Sequence, residues 1–223
     1  MKLLLKNATL LDEKSPFHNQ TKDILIEKGI VTQLEDHIEN KGAKVINLKN
    51  LHISSGWFDP NVSFGEPGYE ERETLKNGLQ TAAKSGFTNI VLNPNTKPLT
   101  ETHSDVSHLL QSNKNQPTAL HISSVLTEEG KGNQMAPLLD LHKAGAVVFG
   151  DYKTSYNNPN LLRIALDYSQ SFGGLIQAYP MNKALSNNGQ MHEGIISTNL
   201  GLKGIPQVAE TTTLARDLQL LDY

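Results

Sequence analysis

Cysteine is absent from the 223 residues. That excludes disulfides, thiolate zinc sites and a cysteine nucleophile, and it suits a reducing compartment. A basic stripe or run is also missing: the formal charge of -3 and pI near 6.2 come from well-mixed signs, so neither nucleic acid nor an anionic membrane is an expected partner. No stretch approaches the length of a membrane span, and the apolar run after Met1 and Lys2 is too short for a signal peptide. The cytoplasm is the expected location. Several reactive signatures are lacking too. There is no H-x-H or H-E-x-x-H ligand pair, no G-x-S-x-G elbow, no Walker loop and no dinucleotide fingerprint. The eight histidines are scattered, and His103 and His108, five apart on an expected helix, do not face each other.

What is present is ordinary globular material. A hydrophobic content of 37%, with 17 Gly and 10 Pro, supports a large core in one large domain or two smaller ones. Residues 1–50 read as short strands over 3–11, 23–27, 30–34 and 44–48, with Lys28-Gly29 as a hairpin signal. From residue 51 onward, apolar runs alternate with helix-length segments, the pattern of βα units and a parallel sheet. The expected strands are 51–62, 88–92, 119–125, 146–149 and 174–178. The expected helices are 71–85, 101–111, 134–144, 160–171 and 206–221, with Gly86 and Gly145 as stops.

One stretch carries the most information: Gly56-Trp57-Phe58-Asp59-Pro60-Asn61-Val62-Ser63-Phe64-Gly65-Glu66-Pro67-Gly68. Its frame resembles the first barrel strand of the dihydroorotases, metal-dependent cyclic amidohydrolases with a (β/α)8 TIM barrel, whose strand reads D-x-H-V-H-F-R-E-P-G. Pro94-Asn95-Thr96 is similar to the family's P-N-T, and Phe149-Gly150-Asp151-Tyr152 to its F-S-D-D-G. The run from Gly189 through Met191, Glu193 and Gly194 to Leu202, Gly204 and Pro206 resembles the segment before the sixth strand.

The resemblance implies the N-terminal half of an amidohydrolase barrel over 51–223, beside a small β-sandwich portion over 1–50. Five strands do not close an eight-stranded barrel, so an open arc with an apolar inner face is expected. It also implies where chemistry would sit. Positions i and i+2 of a strand share a face, so an H-x-H pair chelates one metal. Here those positions hold Asn61 and Ser63, an amide and an alcohol, and the family's carboxylate-gripping Arg is Gly65. The family's His after the fifth strand falls near Ala178. Asn95 matches a substrate-binding Asn and equally suits a turn. Asp151 matches a metal ligand, though a lone strand-end carboxylate is more often a cap.

The expectation is therefore a dihydroorotase-like protein of pyrimidine biosynthesis without a metal cofactor and without hydrolysis. As in inactive members of the family, its implied partner is aspartate transcarbamoylase, and self-association into a homo-oligomer is a further expectation. The alternative is an active zinc hydrolase of dihydroorotate using Asp59, Asn61, Asp151 and ligands beyond Tyr223. A small-molecule or carbohydrate site in an empty barrel mouth is a third reading.

Overall fold

The computed structural model describes residues 2–223, and the chain divides into two compact units between Gly56 and Trp57. In the first, β1 (Lys2–Leu11) is the central strand. It pairs antiparallel with β2 (Thr21–Glu27), which turns back into β3 (Ile30–Glu35). Lys28 and Gly29 make that turn with φ of 52° and 84°, the left-handed pair that matches strand twist in a two-residue hairpin. Along its other edge, β1 pairs in parallel first with β4 (Lys44–Ile46) and then with β5 (His52–Ser54). These residues thus form one mixed sheet, in which β4 and β5 follow one another along a single edge of β1.

A small core of Ala8, Leu10 and Ile24 is supported by Leu5, Phe17 and Ile53. Asp23 is buried beside it, where its carboxylate takes the Lys6 ammonium at 2.6 Å and the backbone N–H groups of Asn7 and Ile38. Burial works against that charge, but these donors outweigh it and hold the carboxyl below its ordinary value.

The single strand expected over 51–62 is split. His52–Ser54 pairs with β1, and a new strand, β6 (Trp57–Val62), opens the second unit. Ser55 and Gly56 provide the break, which moves the boundary from residue 50 to Gly56. β6, β7 (Phe87–Leu92), β8 (Ala119–Ser124), β9 (Ala146–Phe149) and β10 (Leu175–Ile176) then lie side by side in chain order, all parallel. The crossovers contain α1 (Leu75–Lys84), α2 (His103–Ser112), α3 (Leu138–Ala144) and α4 (Pro159–Gln170). Sequential order without a switch point is the arrangement of a curling barrel wall, not of a doubly wound sheet.

Leu79, Ile90, Leu92, Val106, Leu109, Ile122 and Phe149 are buried in the core shared by strands and helices. The opposite face is more polar than an apolar arc. Phe58 lies edge-on to His121, and His121 Nε2 is 3.0 Å from Asn89 Oδ1.

The helices begin later than their polar approach segments suggest. Thr74 caps α1, and Thr102 forms a reciprocal capping box with Asp105 at α2, so the chain turns helical only after these side chains. β10 is shorter than expected. Beyond it come α5 (Lys183–Ser186), β11 (Met191–His192), α6 (Ile195–Asn199), β12 (Gly204–Ile205) and α7 (Val208–Asp222), with β11 and β12 paired in parallel. No helix among the described residues is long and apolar enough to cross a membrane.

Candidate functional site

Parallel strands in chain order deliver their C-terminal ends to one rim, where the connecting loops meet. The ends of β6, β7, β9 and β10 there enclose a cavity of about 190 Å³. Asn61 and Ser63 line it from the first strand, Asp151 from the fourth, and Ala178 from the fifth. The sequence-marked positions are therefore neighbours in space, with one exception. Asp59 faces the helix side, in a groove with Phe64, Gly78 and Ile90, and its Oδ1 accepts the Asn61 backbone N–H at 3.0 Å.

The β6 ladder bulges between Asp59 and Val62 and then rejoins β7 with Val62 beside Leu92, the Asn93 N–H donating to the Val62 carbonyl at 2.9 Å. From there Asn61 and Ser63 reach diagonally to Asn93 and Asn95. The Asn61 side-chain oxygen accepts from the Asn93 amide, and Ser63 Oγ accepts from Asn95 Nδ2 at 2.6 Å. Asn95 Oδ1 is buried without a hydrogen-bond partner among the described residues.

Asp151 is 4% exposed. Its Oδ1 accepts the backbone N–H groups of Leu126 at 2.9 Å and Thr127 at 3.0 Å, and its Oδ2 accepts the Thr127 hydroxyl. The carboxylate thus ties the loop after β8 to the loop after β9. Burial pushes the Asp151 carboxyl above its ordinary range, and the Thr127 and Leu126 donors only partly offset this. The Asp151 N–H donates to the buried Tyr156 hydroxyl at 2.9 Å. Burial, and then the Asp151 charge, raise the pKa of that phenol.

Gly65 is where the family carries its Arg. A Cβ there would run into the Tyr69 carbonyl, lying 2.7 Å from its carbon and 3.2 Å from Arg72 Cβ. The loop is closed on Gly65 by the Tyr69 N–H to Gly65 carbonyl bond at 2.8 Å. Glu66, next in the frame, caps α1, its Oε2 accepting the Leu75 N–H at 2.7 Å.

Zinc needs imidazole, thiolate or carboxylate donors with lone pairs to spare. The first strand offers an amide oxygen and a hydroxyl, each already accepting a hydrogen bond, and Asp151 has both oxygens engaged. No three His, Cys, Asp or Glu side chains among the described residues come together as a metal-binding group. This donor set does not fit the family's metal.

Sequence reasoning passed over Asn93, Lys153, Gln177 and Tyr179, which also line the cavity. Asn93 had a readable signal, since Asn93 and Asn95 repeat the i, i+2 spacing of Asn61 and Ser63 on the neighbouring strand.

A sequence model described as Dihydro-orotase-like matches residues 52–222. The dihydroorotase of Pelotomaculum thermopropionicum is 35% identical over 222 residues, which is 100% of this chain and 52% of the relative. That of Syntrophus aciditrophicus is 34% identical over 227 residues, covering 100% of this chain and 53% of the relative. Among solved structures, the L-hydantoinase (dihydropyrimidinase) of Arthrobacter aurescens superposes with a TM-score of 0.75 at 17% identity, over 99% of this chain and 50% of that one. A dihydroorotase superposes with a TM-score of 0.60 at 11% identity, over 98% of this chain and 62% of that one. These likenesses place the second unit in the amidohydrolase TIM-barrel fold, and the chain spans about half the length of the curated relatives it matches. The chain belongs to the dihydro-orotase-like family.

Proposed function

We propose that this protein is a dihydroorotase-like component of pyrimidine biosynthesis that has lost its metal chemistry and serves as a non-catalytic partner of aspartate transcarbamoylase. One observation carries the loss of chemistry: the two positions that should chelate the metal are spent on Asn61–Asn93 and Ser63–Asn95 hydrogen bonds. A catalytic zinc site keeps three protein ligands and an open position for water. Here Asn61, Ser63 and Ala178 provide no imidazole, and the loop around Gly65 leaves no room for a guanidinium clamp. The partner is supported by family resemblance, on the reasoning that a fold kept without its chemistry is kept for a surface.

The competing reading is an active zinc-dependent dihydroorotase, favoured by the name its 35% identical relative carries. Zinc analysis of the purified protein, combined with a dihydroorotate ring-opening assay, separates the two. The proposal expects no stoichiometric zinc, no turnover, and co-elution with aspartate transcarbamoylase when the two are mixed on a sizing column. Stoichiometric zinc with turnover would overturn the loss of chemistry, and separate elution would overturn the partnership.

A further inference from the structure

We infer that the β9–β10 side of the cavity is a metal-independent binding site for a small organic carboxylate, with Lys153 as its cation. The polar groups around the cavity divide into two sets. On the β6–β7 side, Asn61, Ser63 and Asn93 are engaged with the opposing strand end. On the β9–β10 side, the side chains of Tyr152, Lys153, Gln177 and Tyr179 line the cavity, and none makes a hydrogen bond among the described residues. Neutral donors such as Asn61 Nδ2 and the Ser63 hydroxyl thus remain on the first side, but the one cation lining the cavity among the described residues, Lys153, is on the second.

Lys153 is the unusual member of that set. Its backbone lies at φ 53°, in the left-handed region that disfavours any residue with a Cβ. Residues held there by their surroundings cluster at ligand sites. Its ammonium sits 5.1 Å from the centre of the Tyr152 ring, and no carboxylate among the described residues lies within ion-pair distance. The other charged group lining the cavity, Asp151, has both oxygens turned to Leu126 and Thr127, so an anion entering the mouth meets the ammonium and not the buried carboxylate.

Size and donor number narrow the ligand class. The cavity of about 190 Å³ lies below the range of drug-sized pockets, roughly 300 Å³ and above, which suits a small metabolite. A phosphate site built on a Lys adds a helix N-terminus or a nest of backbone amides to share the larger charge. One ammonium with neutral Tyr and Gln donors matches a carboxylate better. Gly65, where the family's own clamp would stand, follows β6 and is not among the residues lining this cavity.

The inference rests on the reading that the mouth holds no metal, so zinc is measured on every sample used. The test is calorimetric titration of the whole protein with succinate, inorganic phosphate and glycerol, repeated on Lys153→Met and Lys153→Gly. Succinate is expected to bind, and both variants to weaken it by about ten-fold or more, the loss of one charge-assisted hydrogen bond. Lys153→Gly is expected to melt no lower than the parent, because glycine adopts φ 53° freely, so its loss of binding is not unfolding. Absence of succinate binding, equal binding by Lys153→Met, or a preference for phosphate would overturn the inference. Succinate binding that disappears with zinc on chelation would instead overturn the metal-free reading on which it stands.

Discussion

Asp151 is a buried carboxylate held by three neutral donors, with no cation at ion-pair distance among the described residues. A raised pKa means that the folded protein keeps this proton where the unfolded chain has released it. Its contribution to stability therefore falls as pH rises from the ordinary value of 3.8 through the higher folded value. Asp23 has the opposite sign. Its folded value lies below 3.8, so its contribution is full above that pH and is lost as pH falls through the folded value. Asparagine at 151 could accept the two backbone N–H groups through Oδ1 and donate to the Thr127 oxygen through Nδ2. Asp151→Asn is thus expected to stay within about 1 kcal/mol of the parent at neutral pH, whereas Asp151→Ala, which strands the Leu126 and Thr127 amides, loses about 3 kcal/mol. Urea unfolding at mildly acidic and neutral pH checks both, and the Asn variant should also lose the Asp151 part of the pH slope. The sequence marked Asp151 as a strand-end carboxylate with two fates, ligand or cap. Its partners, Leu126 and Thr127, lie at the end of another strand, where no local pattern points to them.

At the scale of elements, the E-P-G frame shows how a family signature can carry a structural task. Glu66 reaches across to the Leu75 N–H at 2.7 Å, and the Thr74 hydroxyl accepts the Asn77 N–H at 3.3 Å, so the loop after β6 is fastened to the start of α1. Removing the carboxylate in Glu66→Ala is expected to cost about 1 kcal/mol of unfolding free energy, the worth of a cap and a favourable charge at a helix N-terminus. Gly65→Arg is expected to cost more, roughly 2–3 kcal/mol, because its Cβ collides with the Tyr69 carbonyl. It should gain no carboxylate affinity, since the loop must open to admit the side chain. Thermal melts rank the two variants, and a Gly65→Arg protein as stable as the parent would show that the loop opens freely. The frame was legible in the sequence, but the cap was not, because its two ends lie nine residues apart across a turn. β7, β8 and β9 were legible from apolar runs bounded by turn residues, and Gly86 and Gly145 marked the stops with φ of 92° and 113°. The pieces α5, β11, α6 and β12 are too short to show a period. The strand over 51–62 was misjudged for another reason. Apolar residues stand on both sides of Ser54-Ser55-Gly56, but the two halves pair within two different units.

At the scale of the whole molecule, the second unit displays the sheet and helix faces of a barrel wall over about half of the length its relatives have. Leu175 on the short strand β10 is 64% exposed and Leu221 near the end of α7 is 63% exposed, and the two line one groove with Ile176 and Leu220. Apolar side chains scattered singly over a surface carry no message, but neighbours sharing a groove mark a place where another surface packs. The protein is thus expected to self-associate through this groove in a concentration-dependent way, which sedimentation velocity over a dilution series would register. Charging the groove in a Leu175→Lys, Leu221→Lys double variant should shift the protein toward monomer without lowering its melting temperature, because both side chains are already mostly in solvent. A parent that sediments as a monomer at every concentration would mean that the groove is too shallow to hold a partner. Association unchanged in the double variant would move the contact elsewhere, with the exposed Ile195 and Ile196 of α6 the next side chains to charge.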